Sequence, residues 1–184
     1  MLRFSASILA LALLTAAPAH ADELDLAQLA SSELFGVLLG AGLLLPLAQD
    51  DGLSGTLRGG DALVTTWVAT NAIKSLGISD RPADGSGAGE SDSFPSGHAS
   101  MSFAIASMQS ELHPDQAPYW YGAATLVSIS RVKLKRHHIE DVVAGAALGY
   151  GIAQLELNSE NGLLISPFVE PEGDGIGVNL KWEL

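Results

Sequence analysis

Three short polar segments interrupt a chain that otherwise reads in apolar, helix-periodic blocks, and each falls where a block ends or begins. Lys74 to Pro82 closes a block whose apolar positions are Leu63, Val64, Trp67, Val68, Ala72, Ile73 and Leu76. Pro95-Ser96-Gly97-His98 opens a block that continues through Met101, Phe103, Ala104, Ile105 and Met108 to about Leu112. Ser130 to Asp141 separates a helix over 117–130 from a last one running from Ile139 to about Leu157. Apolar residues recurring at three and four mark amphipathic helices, and short connections favour antiparallel neighbours. Antiparallel packing gathers all three polar segments at one end of a bundle.

The remaining elements follow from similar cues. Asp22 to Ser32 is a polar helical lead-in, and Leu34 to Ala48 is apolar on nearly every side, as a buried helix or a membrane helix would be. Fifteen residues give roughly 22 Å of helix against a hydrocarbon core of about 30 Å, and Pro46 interrupts the last turn, which favours a core helix. Gln49 to Gly60 reads as a loop with Asp61 capping the next helix; Trp67 is expected in the core, and Gly77 stops that helix. Residues 83–93 read as an exposed, flexible Gly/Ser-rich loop. Trp120, Tyr121, Leu126 and Val127 are expected in the core, and Ala144, Gly145, Ala147, Gly149 and Gly151 form a small-residue face suited to close helix approach. At the C-terminus Ile176, Val178, Leu180, Trp182 and Leu184 alternate with polar or small residues, a strand pattern that pairs with 163–169. The expected fold is all-α, a bundle of about five to six helices with a C-terminal β-hairpin.

Residues 1–21 read as a secretory signal: Arg3, an apolar run from Ile8 to Ala17, then Ala19-His20-Ala21 before acidic Asp22-Glu23. The helical domain then spans 22–160 and the hairpin 161–184, in an exported protein of the bacterial periplasm or, alternatively, one associated with a membrane. The chain holds no cysteine, so disulfides and thiol chemistry are excluded. Its net charge of −12 makes it a poor nucleic-acid binder. Yet six of its nine basic residues, Lys74, Arg81, Arg131, Lys133, Lys135 and Arg136, crowd into two short segments, as a local anion site requires.

The chemistry of those segments is that of an anion site. Arg131 offers a planar fork of donors suited to phosphate oxygens. The start of the helix at Pro95-Ser96-Gly97-His98 presents unpaired backbone N–H groups and a positive dipole end; Gly97 allows close approach and Ser96 adds a hydroxyl. His137 stands four residues before Asp141, one helical turn, so the carboxylate can fix one ring nitrogen and leave the other to attack. His98 sits where it could protonate a departing oxygen. No metal-ligand spacing and no cofactor motif accompany these residues.

Lys-x6-Arg-Pro, Pro-Ser-Gly-His and Ser-Arg-x5-His-x3-Asp, in that order between Lys74 and Asp141, make the chain resemble the type 2 phosphatidic acid phosphatase and vanadium haloperoxidase superfamily. The resemblance implies a phosphohistidine formed on His137, with Asp141 as its orienting partner and His98 as acid and then base. It assigns the phosphoryl oxygens to Lys74, Arg81, Ser96, Gly97 and Arg131. The expected function is a metal-independent phosphatase for a phosphomonoester or pyrophosphate, lipid phosphates included, with contact to a membrane surface and oligomeric state left open. A vanadate-dependent haloperoxidase, or a non-catalytic binder of anions or phospholipids, are the alternatives. His138 is a bystander in this reading.

Overall fold

The structure, a computed structural model, describes residues 22–49, 51–85, 87–159, 165–169 and 176–180. The segment read as a signal therefore lies outside the described residues. Five α-helices make up the described bundle: α1 Glu23–Ala48, α2 Gly52–Lys74, α3 Gly97–Leu112, α4 Ala117–Lys133 and α5 Ile139–Asn158.

The polar lead-in and the apolar run form one helix rather than two. Asp22 starts α1 through a capping box with Asp25, its Oδ1 accepting from the N–H groups of Leu24 (2.8 Å) and Asp25 (2.9 Å). The helix then runs through a π-turn, Ala30–Leu34, and ends in a 3₁₀ turn, Leu45–Ala48, containing Pro46. Its 26 residues correspond to about 39 Å, which corrects the 15-residue element expected from the sequence. It is long and apolar enough to cross a membrane, and only 28% of its most apolar window is buried within the chain. Leu34 and Leu38 pack inward while Leu44 and Leu47 face outward.

At the centre lies α3, built largely of Ala and Ser on its buried positions, and glycines let the other helices approach it. A Cβ at Gly42 of α1 would fall 2.1 Å from Ile105, and one at Gly149 of α5 would fall 1.9 Å from the Ser100 carbonyl oxygen. The small-residue face foreseen on α5 is thus used at Gly145 and Gly149, whereas Gly151 meets nothing within 4 Å. Gly59 sits within α2 and against Ile105, so the Gly59-Gly60 pair is a packing surface and not the expected loop. Asp61 consequently lies inside the helix instead of capping it. Leu34, Leu38, Leu63, Ile105, Trp120 and Val127 lead the main apolar core. Gln109 is fully buried; its amide nitrogen donates to the Gly42 carbonyl at 2.8 Å, while its Oε1 has no hydrogen-bond partner among the described residues.

Trp67 is 56% exposed, contrary to the core position its spacing suggested; Val64, Val68 and Leu126 also face outward. At the end of the bundle remote from the polar segments, the Arg58 guanidinium caps α5, donating from Nη2 to the carbonyl oxygens of Glu156 (2.9 Å) and Leu157 (3.2 Å). Its Nε also lies 3.5 Å from the buried Glu156 carboxylate. Beyond α5, strands β1 Ile165–Val169 and β2 Ile176–Leu180 are antiparallel, with Val169 opposite Ile176. Their side chains lie outside the described residues.

Candidate active site

The polar segments meet at one end of the bundle because α2 and α4 end there and α3 and α5 begin there. Lys74 is the last residue of α2, and Gly77, at φ +61°, turns the chain out of it. The loop that follows is tied to itself, Arg81 N–H donating to Glu90 O and Ser93 N–H to Ser79 O, both at 3.0 Å. It is therefore a closed structure, not the loose linker its composition suggested. Within it Arg81 forks onto Asp92, Nε to Oδ1 at 2.7 Å and Nη2 to Oδ2 at 2.9 Å, while Lys74 Nζ donates to the carbonyls of Asp92 and Ser93.

Ser96 occupies the N-cap position of α3 without a side-chain cap bond, so Gly97 and His98 are its first two residues, two later than expected from Pro95. The Ser96 N–H donates to the Asp141 carbonyl at 2.9 Å, which ties the start of α3 to the start of α5. The α4 helix runs on to Lys133, placing Arg131 inside its last turn and not in a loop. A Schellman turn ends it: Arg136 N–H reaches Arg131 O and Lys135 N–H reaches Val132 O, each at 3.0 Å, with Lys135 at φ +52°. That turn brings His137 back beside the helix ends.

His137 and Asp141 are both buried, and their Nδ1 and Oδ2 atoms stand 3.8 Å apart, too far for the direct hydrogen bond inferred from their spacing. His137 precedes α5, so the one-turn geometry does not apply to it. Ser93, which the sequence did not single out, fills the gap. Its hydroxyl donates to Asp141 Oδ2 at 2.6 Å and lies 3.4 Å from His137 Nδ1. With the Ser93 hydroxyl proton committed to the carboxylate, its oxygen is placed to accept from a protonated Nδ1. In that tautomer the lone pair of His137 is on Nε2. Asp141 also accepts the His138 N–H at 2.8 Å, while the His138 side chain caps α5 in return. His138 is a helix cap.

Electrostatics bind the three segments into one site. Burial and the nearby charges of Arg131, Lys74 and Arg81 pull the His137 pKa down to about 3, against a smaller opposing pull from Asp141. Burial, then Arg131, lowers His98 to about 4. Arg131 itself is lowered to about 10 by burial and by Arg136 and Arg81, and burial lowers Lys74. Mutual repulsion of this kind is what an opposite charge would relieve. Among the buried side-chain atoms that make no hydrogen bond in the described residues are Ser96 Oγ and Arg131 Nε. Both belong to the residues expected to hold phosphoryl oxygens.

The family model of the PAP2 superfamily matches residues 61–162, more than half of the chain. The chain belongs to the PAP2 superfamily. Its sequence is also similar to the lipid A 1-phosphatase of Porphyromonas gingivalis, 34% identical over 68 residues that make up 35% of this chain and 15% of that protein. The chain thus matches a small part of the length of that relative. Among solved structures it is similar to the transmembrane PAP2 type phosphatidylglycerolphosphate phosphatase from Bacillus subtilis, with 27% identity and a TM-score of 0.48 over 82% of this chain and 81% of that one. All the motif residues of this PAP2 chain, Lys74, Arg81, Ser96, Gly97, His98, Arg131, His137 and Asp141, fall within the matched segment.

Proposed function

We propose that this protein is an exported, membrane-associated phosphatase that hydrolyses a phosphate ester through a phosphohistidine on His137. The observation that carries this reading is the hydrogen-bonded series from His137 Nδ1–H to Ser93 to Asp141, which leaves Nε2 unprotonated amid Lys74, Arg81 and Arg131. A binding site needs the cations; only a nucleophile needs the oriented imidazole.

Nε2 attacks phosphorus, forming a P–N bond as the P–O bond to the leaving group breaks. His98 gives its proton to the departing oxygen. Water then attacks phosphorus, His98 takes a proton from it, the P–N bond breaks, and orthophosphate leaves with His137 neutral again. The cations and the N-terminus of α3 stabilise charge on the transferring oxygens, the main demand of phosphoryl transfer. In the free site His98 is neutral near pH 7, its pKa being about 4. A phosphoryl dianion among the cations raises that value, so substrate binding itself arms the acid.

Lipid phosphates are the substrate class we infer, in line with the name of the lipid A relative and with the length and apolar character of α1. Residues 161–184 belong to the same domain as the helices in this proposal. A hydrolysis screen in EDTA tests the reading, comparing phosphatidate, phosphatidylglycerol phosphate, lipid A and soluble monoesters, with rapid-quench trapping of acid-labile phosphoprotein. Turnover and trapped phosphate should both vanish in His137→Ala. Orthovanadate binding with no turnover of any ester by the wild-type chain would instead identify a binding protein.

A further inference from the structure

The polar contacts of the site do not stop at the segment matched by the superfamily. Ser31 lies 100 residues from Arg131 in sequence, yet its hydroxyl accepts from Arg131 Nη1, and both side chains are buried. The Ser31 backbone also lies close enough to the His98 ring to favour its protonated form. One turn on, the Phe35 ring lies against that imidazole, centroids 4.2 Å apart and planes at 31°. The π-turn Ala30–Leu34 explains how a carbonyl inside a helix becomes available. In an α-helix the Phe35 N–H would bond the Ser31 carbonyl; here it donates to Ser32 O.

We propose that α1 is a wall of the active site, in which the Phe35 ring orients the proton donor His98 while the Ser31 hydroxyl orients Arg131. This rests on the phosphohistidine reading, since only there does His98 serve as an acid. An aromatic ring packed 4.2 Å from the imidazole restricts its rotation. The Ser31 backbone also stabilises the protonated ring, opposing the effect of burial. Ser31 and Phe35 are positioning residues.

The test separates acid catalysis from binding by the choice of ester. The 4-nitrophenolate leaves without protonation, whereas the alkoxide of glycerol phosphate does not. General acid catalysis contributes about 10²–10⁴-fold. Misorienting His98 in Phe35→Leu should therefore lower kcat/KM for glycerol phosphate by about tenfold or more and change it less than about twofold for 4-nitrophenyl phosphate. Phe35→Tyr, which keeps the ring, should restore the wild-type ratio of the two. Ser31→Ala, acting through Arg131 on oxygens common to both esters, should lower both alike. If Phe35→Leu does not fold, Phe35→Met fills the same space with a flexible chain and takes its place. Equal losses on both esters in the Phe35 variant, or no loss on either, would overturn the proposal while leaving the phosphatase reading intact. A wild-type chain that cleaves neither ester nor any lipid phosphate would overturn both.

Discussion

Replacing Gly149 with alanine should disable the site from a distance. The new Cβ would lie 1.9 Å from the Ser100 carbonyl oxygen, 2.7 Å from its carbon and 3.0 Å from the Ala104 nitrogen. All three are backbone atoms of α3, so no side chain can swing aside. Ordinary contact begins near 3.4 Å, and the two helices must therefore part by roughly 1.5 Å at that level. Overpacking of this kind costs about 1–3 kcal/mol, against up to about 1 kcal/mol gained by replacing a helical glycine. A net loss of about 1–2 kcal/mol lowers Tm by roughly 3–6 °C in a domain of this size. The seam between α3 and α5 also sets the separation of His98 from His137, and misplacement by about 1 Å can cost about 100-fold in rate. Gly151→Ala is the control, because nothing lies within 4 Å of its Cβ. It should raise Tm by roughly 2–4 °C and leave kcat/KM within about twofold. Differential scanning calorimetry in detergent and initial-rate kinetics measure both quantities. A Gly149→Ala protein with unchanged Tm and unchanged kcat/KM would refute the reasoning.

Other consequences are equally direct. Ser93→Ala removes the link between His137 and Asp141 and should cost about 1–3 kcal/mol of transition-state stabilisation, about 5–150-fold in kcat/KM; a loss under twofold contradicts the hydrogen-bonded series. Asp92→Asn unmasks the Arg81 charge and should tighten competitive inhibition by orthophosphate about fivefold, worth about 1 kcal/mol, whereas weaker inhibition would mean that Asp92 serves chiefly to aim Arg81. His98 and His137, at about 4 and about 3 against 6.5 when unfolded, take up protons more readily in the unfolded chain. Their contribution to stability is thus complete above pH 6.5 and is lost progressively as pH falls from there toward 3. Tm should decline over pH 6.5 to 4.5, and saturating orthovanadate should flatten the decline by raising both values; a Tm independent of pH over that range speaks against the burial of these rings.

Much of the site was legible because it is local. Each motif sits at a helix end, and helix ends leave marks in sequence: Pro95 and Ser96 before α3, Gly77 after α2, the basic residues closing α4. What escaped notice was long-range or depended on packing. Ser93 is one serine in a Gly/Ser-rich loop until the fold sets it between His137 and Asp141. Ser31 and Phe35 read as part of a lead-in and a hydrophobic run, since nothing local signals a partner 100 residues away. Gly59 and Gly60 carry the composition of a turn, but a helix that must press against a neighbour uses the same residues for a different reason. Trp67 followed the apolar period of α2 and yet faces outward, because periodicity locates an apolar face without saying whether protein or some other medium covers it.

The Arg58 contacts at the far end of the bundle bear on the chemistry at the near end. Helix α5 is pinned twice, by Arg58 holding the carbonyls of Glu156 and Leu157 and by Asp141 holding the Ser93 hydroxyl and the Ser96 N–H. A rod clamped at both tips can neither slide along its neighbours nor turn about its own axis. Loosening the distant clamp should let the carboxylate drift from its serine, so that a guanidinium touching no reactive atom governs how steadily the imidazole is aimed.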